Sequence, residues 1–518
     1  MLYRSAITFA LTLTLLLPSA SLGQEQHAHP VPKQLGTVSF PVSCAPGVQT
    51  KFNEGVAMIH SFAYADAERT FREIAQADPK CAMAHWGIAM SYYHQLWDPP
   101  ISPADLPLGH TEIEKAQGLK RTSPREKQFI GALALVYRNP EKVPYASRAL
   151  AYEKAMEALA TGNPNEPESQ IFFALALLAT ASPADRTHTN QKRAAKILEP
   201  LFARYPRHPG VAHYLIHAYD SPELAKEGLP AARAYAQVAP SAAHALHMPS
   251  HIFTQLGLWD DSIRSNLAAR AAAHQNGDIG EELHAMDYLM YAYLQEARYA
   301  EASQLLEELR AMRTLPYDQF KVGYAAAAMP ARYAAERHAW REEAETRANA
   351  GSAPQVLAIT YWSRAVGKAR DGKPAEARPA LETLNKLLAE IRKNNDAYWS
   401  AQVEIQIREA MGWIARADLK DSDAVSFLKA AANAEDGLEK RPVTPGPIIP
   451  AREQLGELLL ELDRSGDALA EFEQVLKNAP GRRGALVGAA EAARESGNPA
   501  KAGEFERILA AQSSGKSN

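Results

Sequence analysis

The stretch that decides the fold is Arg452-Glu-Gln-Leu455-Gly456-Glu-Leu-Leu-Leu-Glu-Leu-Asp-Arg-Ser-Gly466-Asp-Ala468-Leu-Ala-Glu-Phe472-Glu-Gln-Val-Leu-Lys-Asn-Ala-Pro480. Apolar residues recur three and four apart, which marks amphipathic helices. Gly466 falls between two such runs, where it ends the first helix. Ala468 is small enough to let two helices cross closely, and Pro480 stops the second. Gly497 and Ala502 repeat the turn glycine and the small residue, with Ala502 thirty-four positions after Ala468.

The same frame recurs upstream. Tyr64, Ala67 and Phe71 precede Pro79, with twelve residues from Ala67 to Pro79 as from Ala468 to Pro480. Tyr299 with Ala302, and Pro374 with Ala377, open two more units. Met248-Pro249 stands eleven residues before Trp259, and Met329-Pro330 eleven before Trp340. A helix–turn–helix period near 34 with these markers resembles the tetratricopeptide repeat. The resemblance implies an all-α fold, a right-handed α-solenoid whose core forms by stacking neighbouring hairpins and whose concave surface is long and exposed. It also implies a scaffold that binds a protein or peptide partner there. Departures are Ser262 at a usual alanine position, tryptophan at 259 and 340, and unit spacings up to 40 and more.

The expected organisation follows. Residues 1–23 are read as a signal peptide, 24–47 as an extended segment and 48–97 as the first repeat units. Residues 98–180 are helical without clear markers, and 181–440 carry repeats with a histidine-lined groove. Residues 441–450 form a proline-rich loop, either a hinge or a cover folding back over a groove. Residues 451–512 are the C-terminal repeats and 513–518 a disordered tail.

A formal net charge of −4 and the lack of any basic run remove the electrostatic argument for nucleic acid or anionic lipid. Arg4, the apolar run Ala6 to Leu17 and the small residues Ser21 and Gly23 form the signal peptide, predicting a periplasmic or secreted protein. That run is short of the ~20 residues a membrane span needs, so no membrane insertion is expected. In an oxidising compartment the only two cysteines, Cys44 and Cys81, read as a disulfide stabilising the fold by ~3–4 kcal/mol. The alternative is two buried thiols.

Chemistry concentrates in His244-Ala-Leu-His247-Met-Pro249-Ser-His251. At 100° per residue the three histidines fall within an arc of about 60°, on one helix face. They precede the crossing residue Ser262 by eighteen, fifteen and eleven positions. His284, Asp287 and Tyr291 stand at the same distances before Ala302. In tetratricopeptide proteins, the resemblance implies, these positions line the concave groove. The preceding helix adds His213 and His217, one turn apart.

One reading of this stripe is a transition-metal site, with Zn, Cu or Fe as cofactor, since imidazole suits these ions. Its ligands would come from His213, His217, His247 and His251, with Asp287 or Asp220 completing a shell. His244 and His251 lie about 10 Å apart along a straight helix, too far for one ion. One ion would take an i,i+4 pair plus ligands from a neighbouring helix, with Pro249 bending the helix between. Two other readings stand beside it: a metal-free groove of His244, His247, His251, His284, Asp287 and Tyr291 holding a peptide, and satisfied structural histidines. His60 joins the cluster only if the superhelix brings the first units round. His27 and His29 read as a flexible solvated segment, with weak metal binding as the alternative. There is no nucleophile elbow, His-Glu-x-x-His, P-loop or dinucleotide fingerprint, and no catalytic residue is assigned.

Overall fold

The repeat markers translate directly into helical hairpins. The computed structural model describes residues 34–97 and 100–513, and among them there is no β-strand. The expected signal peptide, His27, His29 and residues 514–518 lie outside the described residues. Helices follow one another, each packed on the next, in an all-α solenoid of tetratricopeptide-like hairpins.

Close helix crossing rests on one device at both ends of the chain. Phe71 is fully buried between Gly55 and Gly87, and Phe472 between Gly456 and Gly488. A Cβ on Gly55 or Gly456 would sit 2.8 Å from the phenylalanine ring, and on Gly87 or Gly488 closer still. Glycine is therefore required at all four positions, because side-chain packing leaves no room for a methyl. The crossing residues Ala67, Ser262, Ala302, Ala377 and Ala468 are all fully buried.

The hairpin turns place one residue in the left-handed region. Gly257 (φ +69°) and Gly497 (φ +80°) take it without cost, whereas Phe62 (φ +55°) and Ala297 (φ +56°) do not. Gly257 has a second reason to be glycine: a Cβ there would collide with the carbonyl of Pro480. The array curls far enough for the centre to meet the C-terminal repeats. Trp259 Nε1 donates to the Gly481 carbonyl at 3.2 Å.

The stretch without repeat markers forms the helices Asp105–Gly118, Pro124–Tyr137, Tyr145–Gly162 and Pro167–Ala179. These pack in sequence, and their apolar residues belong to one continuous core running from Leu35 to Phe253. Cys44 and Cys81 are disulfide-bonded, tying the extended N-terminal segment to the start of helix Ala82–Ser91. No helix among the described residues is long and apolar enough to cross a membrane.

The proline-rich segment folds inward. Tyr288 Oη donates to the carbonyls of Pro442 and Thr444, each at 3.2 Å. Arg332 donates to the carbonyls of Pro447 (2.6 Å) and Gly446 (3.3 Å), and Lys440 reaches Asp220 at 2.9 Å. Of the two expectations for this loop, the structure has the cover.

Candidate metal centre

Helix Pro209–Tyr219 carries His213 and His217 on adjacent turns. Pro249 has no amide hydrogen to give its preceding turn, so the next helix divides into Ala243–His247 and Pro249–Gln255. His244 and His247 lie on the first piece and His251 on the second. Helix Ile279–Gln295 brings His284 from the following unit. His217 is partly buried and the other five are buried.

The six imidazoles sort into two triads. His213, His217 and His244 form one, and His247, His251 and His284 the other; within each, one ligand atom per residue lies within 4.8 Å of the others. Each is an i,i+4 pair plus one histidine from a neighbouring helix, and no helix supplies all three. Nε2 of His213 stands 3.1 Å from Nε2 of His217 and 3.2 Å from Nε2 of His244. Nε2 of His247 stands 3.0 Å from Nε2 of His251. The triads are neighbours: ring centroids of His217 and His251 are 6.0 Å apart, those of His244 and His247 6.2 Å.

The partners of Nδ1 decide which nitrogen carries the proton. His213 Nδ1 meets the carbonyl oxygen of His60 at 2.7 Å, a pure acceptor, so Nδ1 donates. His251 Nδ1 donates to Asp220 Oδ2 at 2.8 Å. Burial opposes ionisation of Asp220, but Lys440 and His251 hold it well below the usual carboxylate range. His247 Nδ1 donates to Asn266 Oδ1 at 2.6 Å, and Asn266 is oriented by donating its amide to the Ser262 carbonyl at 2.8 Å. Burial pushes the pKa of His213, His247 and His251 down, for His251 against the pull of Asp220, and so favours their neutral forms. Neutral imidazoles protonated at Nδ1 present bare lone pairs at Nε2.

The consequence is a direct conflict in the second triad. The Nε2 atoms of His247 and His251 face each other at 3.0 Å with no proton between them. In the first triad the bare Nε2 of His213 faces two imidazole nitrogens at once. Burying facing lone pairs is unfavourable unless a cation lies between. On a tetrahedral ion with bonds of ~2.05 Å, ligand nitrogens are ~3.3 Å apart, close to the observed separations. Nδ1 bonds to carbonyl, amide oxygen and carboxylate are the contacts that orient imidazole ligands.

The walls come from distant parts of the chain. Phe62, in the first hairpin turn, packs its ring on His213, His244 and His217 at centroid distances of 4.4, 5.2 and 5.9 Å. His60 stands behind it but outside both triads, with Nδ1 2.9 Å from Tyr214 Oη and Nε2 2.9 Å from Glu168. Glu168 also meets His208 Nε2 at 2.9 Å. This buried His60–Glu168–His208 group joins the first repeat to helix Pro209–Tyr219.

Two expected residues stand elsewhere. Asp287, expected to complete a metal shell, lies outside both triads with its carboxylate 3.7 Å from Arg332 Nε. Burial raises its pKa to about 6, against the pull of Arg332. Tyr291, expected on the histidine stripe, turns its hydroxyl toward Arg482 at 3.4 Å and its ring toward Trp259. A shift of one residue, about 100° around the helix, moves the chemistry from Asp287 to Tyr288, whose Oη is 3.4 Å from His251 Nε2. Asn266, Phe62 and Glu281, whose carboxylate lies 3.3 Å from His244 Nδ1, carry no local pattern that distinguishes them from ordinary helix or turn residues. The stripe is not an open groove, because residues 440–447 and the first hairpin cover it.

No family model matches the sequence, and no curated protein does. Among solved structures, the chain is similar to the human IFIT1 dimer with m7Gppp-AAAA (TM-score 0.40, 12% identity, 83% of this chain and 90% of that one). It is also similar to the Cut9–Hcn1 hetero-tetramer of the APC/C (TM-score 0.36, 12% identity, 90% and 73%). A third is the TPR domain of P58(IPK) (TM-score 0.22, 14% identity, 87% and 98%). Nothing about this chain's function follows from them.

Proposed function

We propose that the protein is a metalloprotein in which a helical-repeat shell holds two transition-metal ions side by side. His213, His217 and His244 ligate one ion, and His247, His251 and His284 the other. The observation that carries this is the pair of bare Nε2 lone pairs of His247 and His251 facing each other at 3.0 Å. Six imidazole ligands without a thiolate or carboxylate suit copper or zinc. Three protein ligands per ion leave a coordination position for an exogenous molecule, the arrangement of catalytic rather than structural sites. The apolar N-terminal run and the Cys44–Cys81 pairing support a periplasmic or secreted location. A protein or peptide partner would use the outer faces of the scaffold, since the histidine stripe is covered.

Metal analysis of protein purified without a histidine tag and incubated with copper or zinc tests this. Wild type should hold about two equivalents, and His247→Ala/His251→Ala and His213→Ala/His244→Ala about one each. Less than one equivalent in wild type, or an unchanged content in both double variants, overturns it.

A further inference from the structure

Only one of the six histidines faces open space. A part-open cavity of about 330 Å³ has His217 in its wall, together with Gln95, Trp97, Leu178 and Ser221. Its size is that of a small-molecule site.

Several polar atoms in this wall lack hydrogen-bond partners, those of Gln95 and Ser221 and the Oε1 of Gln191 among them. Both amide atoms of Gln95 and the hydroxyl of Ser221 make no hydrogen bond, although the residues are only 3% and 5% exposed. Buried polar groups are normally satisfied, so an unpaired amide and hydroxyl in one cavity wall point to a ligand that pairs them. The charged groups in the same wall are already engaged. Lys440 pairs with Asp220 at 2.9 Å, and Glu439 lies 3.1 Å from His188. The wall therefore offers donors and acceptors to a neutral head group. Trp97 and Leu178 offer apolar surface to a flat body.

We propose that this cavity is the ligand chamber of the metal centre and takes a small uncharged aromatic molecule bearing a hydroxyl or amide. The head group hydrogen-bonds Gln95 and Ser221, and the molecule lies beside the ion that His217 helps to hold. This rests on the metal reading of the triads; the cavity's own chemistry does not.

Full-length protein loaded with copper(II) is titrated with phenol and with benzamide. Tryptophan fluorescence reports binding, the copper absorption bands report proximity to the centre, and metal content is measured separately. Both probes should bind and shift the bands, with benzoate at least about tenfold weaker because its charge finds no free partner. Gln95→Leu should weaken both probes by about tenfold with metal content unchanged. Ala181→Trp, which narrows the cavity from another wall position, should weaken them independently. Metal-loaded protein that binds neither probe, equal affinity for benzoate, or unchanged affinity in both variants overturns the inference. Probe binding to a protein that takes up no metal would instead sink the metal reading and leave the cavity as a ligand site.

Discussion

The C-terminal repeat around Phe472 and the central repeats from Pro209 to Gln295 are built on one hairpin plan and use their interiors in opposite ways. In the former, Phe472 fills the crossing between Gly456 and Gly488, and the core is apolar. In the latter, helices packed in the same order bury imidazoles whose nitrogens converge on one another. The first region is held by apolar packing around Phe472 together with polar groups that are paired, such as the buried Arg482–Glu453 ion pair. The second brings the Nε2 atoms of His247 and His251 to 3.0 Å of each other, which on the proposed metal reading makes its stability depend on what binds there. Functional sites are where a sequence departs from the local rules of its own fold.

The largest expected effect breaks the packing side of this comparison. Phe472→Ala and Phe71→Ala each empty a crossing and should cost about 3–5 kcal/mol, read by urea denaturation. Reduction of the disulfide, or Cys44→Ser/Cys81→Ser, should cost about 3–4 kcal/mol at the N-terminal end and leave metal content unchanged.

Metal should sharpen the contrast. Saturating zinc or copper at about 100 times the dissociation constant stabilises each site by about 2.7 kcal/mol. The melting temperature of wild type should rise accordingly. His247→Leu/His251→Leu should be more stable than wild type without metal, because the facing lone pairs are gone, and should gain less on metal addition. Thermal melts of both proteins with and without metal check this. Equal gains would remove the distinction between the two regions.

Gly456→Ala comes next, at about 1–3 kcal/mol of overpacking against Phe472. The smallest effect concerns pH. Burial disfavours the charge of Glu168, but His208 and His60 hold its pKa down at about 2. A folded pKa below the unfolded one gives stability that is present above the unfolded value of ~4.3 and is lost as pH falls toward 2. Wild type should therefore lose more stability than Glu168→Gln between pH 5 and pH 3, measured by denaturant titration at each pH.

Much of the architecture was legible because it is local. Leu455-Gly456, Ala468, Phe472 and Pro480 encode a hairpin in thirty residues, and Tyr64 to Pro79 encodes it again. The i,i+4 pairs His213/His217 and His247/His251 were legible for the same reason, and helix rise excluded three ligands from one straight helix. The sorting into two triads was not. It depends on His244 turning toward the preceding helix while His247 turns toward the following one, a matter of interhelical packing. The superhelical curl that sets Phe62 against His213, and the fold-back of residues 441–450, are contacts between residues more than a hundred positions apart, with no local signature. Asp287 stands outside the triads because the register carries Tyr288 toward the histidines and leaves Asp287 beside Arg332.

The central claim is that the six histidines hold two ions. X-ray diffraction from crystals of the metal-loaded full-length protein, recorded at the absorption edge of the bound metal, tests it most directly. Two anomalous peaks are expected, one among the Nε2 atoms of His213, His217 and His244 and one within the triad of His247, His251 and His284. Protein saturated with metal but showing no anomalous peak at either triad would contradict it.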